Sequence, residues 1–410
     1  MTIQEQNQFL TQRRWCVLAA CCIANLCLGG LYAWSVFARP MAEHLNVLHG
    51  TAMTAADLAL AFSFSNSLTF ITMIAGGYLE KKIGARRIIF AGVILFGIGF
   101  LVCGMARSVQ AVIFGFGVIG GLANGLGYVC TVSTAVKFFP DKKGLIGGIS
   151  TASYGISSVI IPPIADALNR SVGISRAFTL FGLVIIVLGG LCSLFILNCP
   201  DDYTPTGWDG GSSGAAGTSR DVTALQMLAS PIFYVMLAMM FIGATIGLMM
   251  ISEASAIAQT MLGMSSSTAA LIVSTYALFN TGGRIVVGGI SDKIGRIRTI
   301  TFVFVLMALS LLAIYLSGLN GNTFLFRAGI CLIGFSYGSF MGVYPAFTSD
   351  QFGVKYSALN YGILFIGFSL AGVVGPLIMQ KIFSEFGSYR PSFPVAIVFA
   401  LIGIALTFLY

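Results

Sequence analysis

The sequence predicts an all-α membrane protein with twelve transmembrane helices in two pseudo-symmetric six-helix bundles. Three observations predict it. Apolar stretches of about 20 residues recur twelve times, and at 1.5 Å of rise per residue each is long enough to cross a hydrocarbon core of about 30 Å. Only 9% of the 410 residues are charged and 57% are hydrophobic, with a mean hydropathy of +0.92, whereas a soluble domain carries roughly 25% charged residues. A single polar stretch rich in glycine and serine divides the chain near its middle, with related motifs on either side of it.

The spans start near Trp15, Asp57, Ile88, Ala111, Leu145 and Ala177 in the first half, and near Pro231, Ser267, Thr299, Thr323, Ala358 and Ser392 in the second. The polar start from Met1 to Arg14 leads into a run long enough to span, so no cleavable signal is expected. Residues 201–230, DDYTPTGWDGGSSGAAGTSRDVTALQMLAS, read as a flexible cytoplasmic linker. The bundles are then 1–200 and 231–410. GGYLEKKIGARR (Gly76 to Arg87) and GGISDKIGRIR (Gly288 to Arg298) each follow the second span of their half. KFFPDKKG (Lys137 to Gly144) and SDQFGVKYSALNYG (Ser349 to Gly362) each lie between the fourth and fifth. Such duplication in a carrier implies a substrate site between two bundles near mid-membrane.

With a cytoplasmic N-terminus, 14 of the 22 lysines and arginines fall on the inner side, seven on the outer side or its helix ends, and Arg284 within a span. Both termini are therefore expected in the cytoplasm of a multi-pass plasma membrane protein, of the bacterial inner membrane. The net charge of +8 is spread over short loops and forms no stripe with interleaved aromatics, which argues against nucleic acid. The nine cysteines lack metal-ligand spacing and read as small buried residues; no metal or cofactor is expected.

Arg284 is the residue the rest of the chain must justify. Its helix ends at the charged turn beginning at Asp292, about 12 Å further on by helical rise, so it sits near the middle of the bilayer. An arginine there costs on the order of 2.5–3.5 kcal/mol or more and demands a polar cavity or a partner. Asn280 lies one turn earlier on the same face, with Tyr276 a further turn away, and Gly282 and Gly283 admit a close neighbour. Two readings follow: a structural arginine paired with helix carbonyls, or an anion ligand in a transport pathway. Tyr128 and Tyr154 fall at a similar depth, about 13 Å from Lys137 and about 15 Å from Gly144. Their hydroxyls are suited to a carboxylate, and packing is the other reading of both. An enzyme is not expected, since the only histidines are His44 and His49 and no catalytic set accompanies them.

The second-to-third helix turn resembles the signature of the major facilitator superfamily, twelve-helix secondary transporters, with Gly288, Asp292, Lys293, Gly295 and Arg296 matching its gating motif. The first copy departs: Lys81 stands where the aspartate belongs, with Glu80 one position early. Further stretches are similar to the oxalate/formate antiporter family, related to the monocarboxylate transporters: GGLYAWSVFARP (Gly29 to Pro40), GLGYVCTVSTAVKFFPDKKG (Gly125 to Gly144), SYGIS (Ser153 to Ser157), GGRIVVGGISDKIGR (Gly282 to Arg296) and SALNYG (Ser357 to Gly362). The resemblance implies the major facilitator fold, Arg284 as the carboxylate ligand, and Tyr32, Tyr128, Tyr154 and Tyr337 as aromatics that box the substrate.

The oxalate carriers pair that arginine with a lysine on the eleventh helix, and the matching position here is Phe368. One fixed cation matches a monoanion and leaves a dianion uncompensated in low dielectric. Leu31 replaces a glutamine of the oxalate carriers, and Phe365 sits one turn before Phe368; with Leu28 these residues suit the apolar end of a small acid. In animal monocarboxylate transporters an aspartate stands one turn before the arginine, where this chain has Asn280. Glu253 is the remaining, weaker candidate for a proton role. The expected function is a secondary active transporter that moves a small monocarboxylate such as lactate, pyruvate or formate by alternating access with proton coupling, as a monomer in the lipid bilayer. An oxalate/formate-type antiporter and a carboxylate sensor on a transporter scaffold stand as alternatives.

Overall fold

The computed structural model describes residues 2–208 and 221–410. Among these residues there is no strand, and twelve helices are long and apolar enough to cross a membrane. Helix α1 (Ile3–Leu28) passes through a 3-10 turn at Gly29–Ala33 and continues over Trp34–His49. It is followed by α2 (Ala59–Ile83), α3 (Ala85–Gly104), α4 (Val109–Lys137, π-wound over Ile113–Ile119), α5 (Lys143–Val172) and α6 (Ile174–Leu194). The second half contributes α7 (Pro231–Leu262), α8 (Ser266–Ile294), α9 (Arg296–Asn320), α10 (Thr323–Phe352), α11 (Ser357–Phe386, broken at Phe365) and α12 (Ser392–Leu409).

Every helix but one begins within three residues of the start read from the sequence. The exception is α1, which opens at Ile3 with a capping box formed by Thr2 and Glu5. Hydropathy finds the part of a helix that lipid surrounds, and the first turns of α1 are polar. Large apolar side chains such as Leu271 (67% exposed) and Phe302 (56%) point outward from the packed helices, an arrangement suited to lipid rather than to water.

The chain forms two compact units. One takes Met1–Pro140, Ser153–Asp209 and Val354–Ile363; the other takes Asp141–Ala152, Gly210–Gly353 and Leu364–Tyr410. The first is filled by phenylalanines, with Phe37 on Phe178 at 4.5 Å and Phe96 on Phe100 at 5.2 Å between ring centroids. In the second, Phe304 meets Phe340 at 4.9 Å, and the buried Tyr344 hydroxyl donates to the Met236 carbonyl at 2.9 Å.

The stretch read as a linker is tied down at both ends. Tyr203 is buried, its ring 5.6 Å from that of Phe138 and its hydroxyl 3.1 Å from that of Thr11. A short helix, Ala224–Leu228, starts with a Thr223–Gln226 capping box. Residues 209–220, the glycine- and serine-rich middle, lie outside the described residues.

The duplicated turn motif has matching backbones. Gly84 closes α2 with φ +88° and Gly295 closes α8 with φ +91°, a region that glycine enters without steric cost and other residues avoid. Each glycine lets one helix stop and the next begin at once.

Candidate functional site

Arg284 sits where three stretches of helix meet in the second unit: α8, α10 and the first ten residues of α5. Along α10, Gly334, Gly338 and Gly342 recur every fourth residue and face Tyr276, Asn280 and Arg284 of α8 in register. A Cβ on these glycines would fall 2.8, 1.8 and 2.2 Å from the respective carbonyl oxygens. Glycine alone permits main chains to approach that closely. Gly283 meets the Phe335 carbonyl in the same way, whereas Gly282 has no neighbour among the described residues within 4 Å of its Cβ position. From α5, Gly148 abuts the Arg284 carbonyl and Gly144 abuts that of Gly288, at 2.1 and 2.2 Å from their Cβ positions. The position of Arg284 is thus set by main chain on two sides.

The side chain of Arg284 is 7% exposed. Its Nε donates to Asn280 Oδ1 at 3.1 Å, and one terminal nitrogen donates to the Thr151 carbonyl at 2.7 Å. Both acceptors are neutral, and among the described residues no carboxylate pairs with it. A guanidinium carries five N–H donors, so most of them have no partner among the described residues. Asn280 is 6% exposed, and its Nδ2 also has none among the described residues. The residue that fixes the arginine therefore presents a donor of its own.

The first unit gathers three of the expected tyrosines. The Tyr154 ring meets Tyr128 edge-on at 4.9 Å and Tyr32 at 5.8 Å. Asn124 Nδ2 donates to the Tyr154 hydroxyl at 3.0 Å, while its Oδ1 is buried without a partner among the described residues. Asn124 was not singled out from the sequence, although it stands four residues before Tyr128 and so shares its helix face. Tyr32 and Leu31 lie on the 3-10 turn that interrupts α1. Leu28 is fully buried, with its side chain against Gly127.

In the second unit, Tyr337 is buried over Gly247, its ring 6.4 Å from that of Tyr276. Phe365 occupies the break in α11, and its ring packs 4.6 Å from that of Phe368. Glu253 accepts from the Tyr389 hydroxyl at 3.0 Å. Burial first, and then that carboxylate, push the Tyr389 pKa up to about 12, so the tyrosine keeps its proton and remains the donor.

The turn motif at the end of α8 forms a compact ionic group in the second unit. Asp292 accepts the backbone N–H groups of Gly144 and Leu145 at 2.8 and 2.9 Å, as a carboxylate at a helix start does. Arg296 pairs with Asp292 and Asp350, both at 2.8 Å, and Lys143 joins Asp350 at 2.8 Å. Lys293 and Gly295 lie in the same turn. In the first unit the departing copy is built differently: Glu80 pairs with Lys137 at 2.8 Å, and the Lys81 ammonium stands 3.5 Å from the centre of the Tyr356 ring. A cation–π contact occupies the place of a carboxylate on a helix start.

The family model described as Major Facilitator Superfamily matches residues 18–376 and again 254–410. The MFS-type transporter YhjX of Escherichia coli is 31% identical over 88% of this chain and 86% of its own. The oxalate:formate antiporter of Oxalobacter formigenes is 28% identical over 98% of this chain and 92% of its own. Among solved structures, the proton:xylose symporter XylE superposes with a TM-score of 0.75 at 12% identity, over 97% of this chain and 96% of that one, a likeness of fold alone. A family match that runs through nearly all twelve helices means that this chain belongs to the major facilitator superfamily and is a membrane transporter.

Proposed function

We propose that the protein carries a small monocarboxylate, of the lactate, pyruvate or formate kind, across the membrane by alternating access. The observation that carries the reading is the charge balance at Arg284: a buried guanidinium held by an amide and a carbonyl, with no carboxylate among the described residues. A buried cation is stabilised by an anion, and a carboxylate can take two of its N–H donors side by side. Asn280 Nδ2 and the hydroxyls of Tyr128 and Tyr154 supply further donors, with Tyr32 and Tyr337 as flanking rings. Leu31, Phe365 and Phe368, with Leu28, are the apolar residues suited to the rest of the acid. The similarity to an oxalate:formate antiporter and, at 21% identity, to monocarboxylate transporter 12-B of Danio rerio supports the same cargo class.

In this reading the proton enters with the acid or through Glu253. The second reading, exchange of one anion for another, is favoured by Asn280: the side chain bonded to Arg284 is an amide that cannot titrate. The orientation that goes with the proposal puts both termini in the cytoplasm, of a bacterial cell, and rests on the surplus of lysine and arginine on one side.

Uptake of radiolabelled lactate, pyruvate and formate into proteoliposomes tests the cargo. Wild type is expected to show saturable uptake and Arg284→Gln none, with both proteins eluting as folded species. Uptake by Arg284→Gln at wild-type affinity would overturn the role of the arginine. Stimulation by an acidic exterior supports symport, and a requirement for acid inside the vesicle supports exchange.

A further inference from the structure

We infer that the Thr151 main-chain carbonyl is an internal stand-in for the cargo carboxylate on Arg284, with Gly148 the positioning residue that brings it there. This rests on the proposal that Arg284 is the anion ligand. Residues 143–152 fold with the second unit, while α5 from Ser153 onward belongs to the first. The short stretch is seated on α8 at three levels. At its foot Asp292 holds the amides of Gly144 and Leu145. Above that, Gly144 abuts Gly288 and Gly148 abuts the Arg284 carbonyl. At the top the Thr151 carbonyl accepts from the guanidinium at 2.7 Å.

The top contact differs in kind from the others. A carbonyl is a neutral acceptor, whereas a carboxylate meets the guanidinium charge to charge and can take two of its N–H groups side by side. An arriving acid therefore takes the guanidinium away from Thr151, and the stretch loses its uppermost hold on α8. By linkage, whatever weakens the seat of this stretch removes a competitor and tightens acid binding. Gly148 controls the seat because a Cβ there would stand 2.1 Å from a main-chain oxygen. The Thr151 hydroxyl plays no part in it, as it donates back to the Gly147 and Gly148 carbonyls.

The test uses the full chain in detergent with L-lactate and formate as probes, reading binding by calorimetry and amide hydrogen exchange over residues 143–152. In wild type, either acid is expected to speed exchange in that stretch. Gly148→Ala is expected to exchange fast without acid and to bind L-lactate about three- to tenfold more tightly than wild type. A loss of packing alone would weaken binding instead. Should Gly148→Ala not fold, Asp292→Asn loosens the same stretch at its foot and is expected to act in the same direction. Unchanged or weaker binding in the folded variant, or slower exchange on adding acid, overturns the inference. If Arg284→Gln binds neither acid while Gly148→Ala binds like wild type, the stand-in fails and the cargo reading survives. If wild type binds neither acid, or Arg284→Gln binds like wild type, both fall together.

Discussion

Phe368 stands on α11 with its ring against Phe365, one turn away. The position sets the charge of the cargo in the proposed function, because a second fixed cation there would balance a second carboxylate. Phe368→Lys is expected to raise the preference for oxalate over lactate by about tenfold or more, equivalent to about 1.4 kcal/mol, as read from competition against labelled uptake. An unchanged ratio would show that the single-cation argument does not govern selectivity. Arg284 and Asn280 were legible as a pair, since a lone arginine in an apolar span needs a partner and the i,i+4 neighbour is an amide. The carbonyl of Thr151 was not: main-chain acceptors carry no mark in a sequence, and the contact joins residues 133 positions apart. Asn124 was within reach of the same face argument that found Asn280, but it lies beside Tyr128 rather than beside a charge that demands an explanation.

At the scale of elements, the register between α8 and α10 is the most exacting contact around the arginine. Three glycines four residues apart on α10 meet three carbonyls four residues apart on α8. Gly338→Leu places side-chain atoms where the Asn280 carbonyl lies, and main chain cannot turn aside as a side chain would. Overpacking of this kind costs about 1–3 kcal/mol, so the variant is expected to unfold at lower temperature and to lose uptake. Gly282→Ala, on the open side of α8, is expected to leave both unchanged; an equal loss in the two variants would sink the register argument. The small-residue spacing is visible in the sequence from Gly334 to Gly342, whereas the face it meets is not. The interruptions of α1 at Gly29–Ala33 and of α11 at Phe365 also escaped hydropathy, because the apolar runs continue through them. Both interruptions carry residues expected at the site, in keeping with the use of broken helices to line transporter sites.

For the whole molecule, composition alone determined the class, and the spacing of apolar runs determined the number of helices. The duplication was legible in the paired turn motifs and reappears in the backbones of Gly84 and Gly295. What could not be read is which stretches fold together: residues 143–152 group with the second half through contacts that no local pattern encodes. One consequence of the arrangement at Arg284 is electrical. In the proposed function, Arg284 has only neutral partners among the described residues, so the unloaded protein keeps a positive charge there and a bound acid cancels it. Carrying one elementary charge through the membrane field costs about 2.3 kcal/mol per 100 mV. Voltage is then expected to act on the return of the vacant carrier and hardly on the passage of the filled one, so a potential clamped across the liposomes should alter net uptake of lactate while leaving lactate-for-lactate swapping almost untouched.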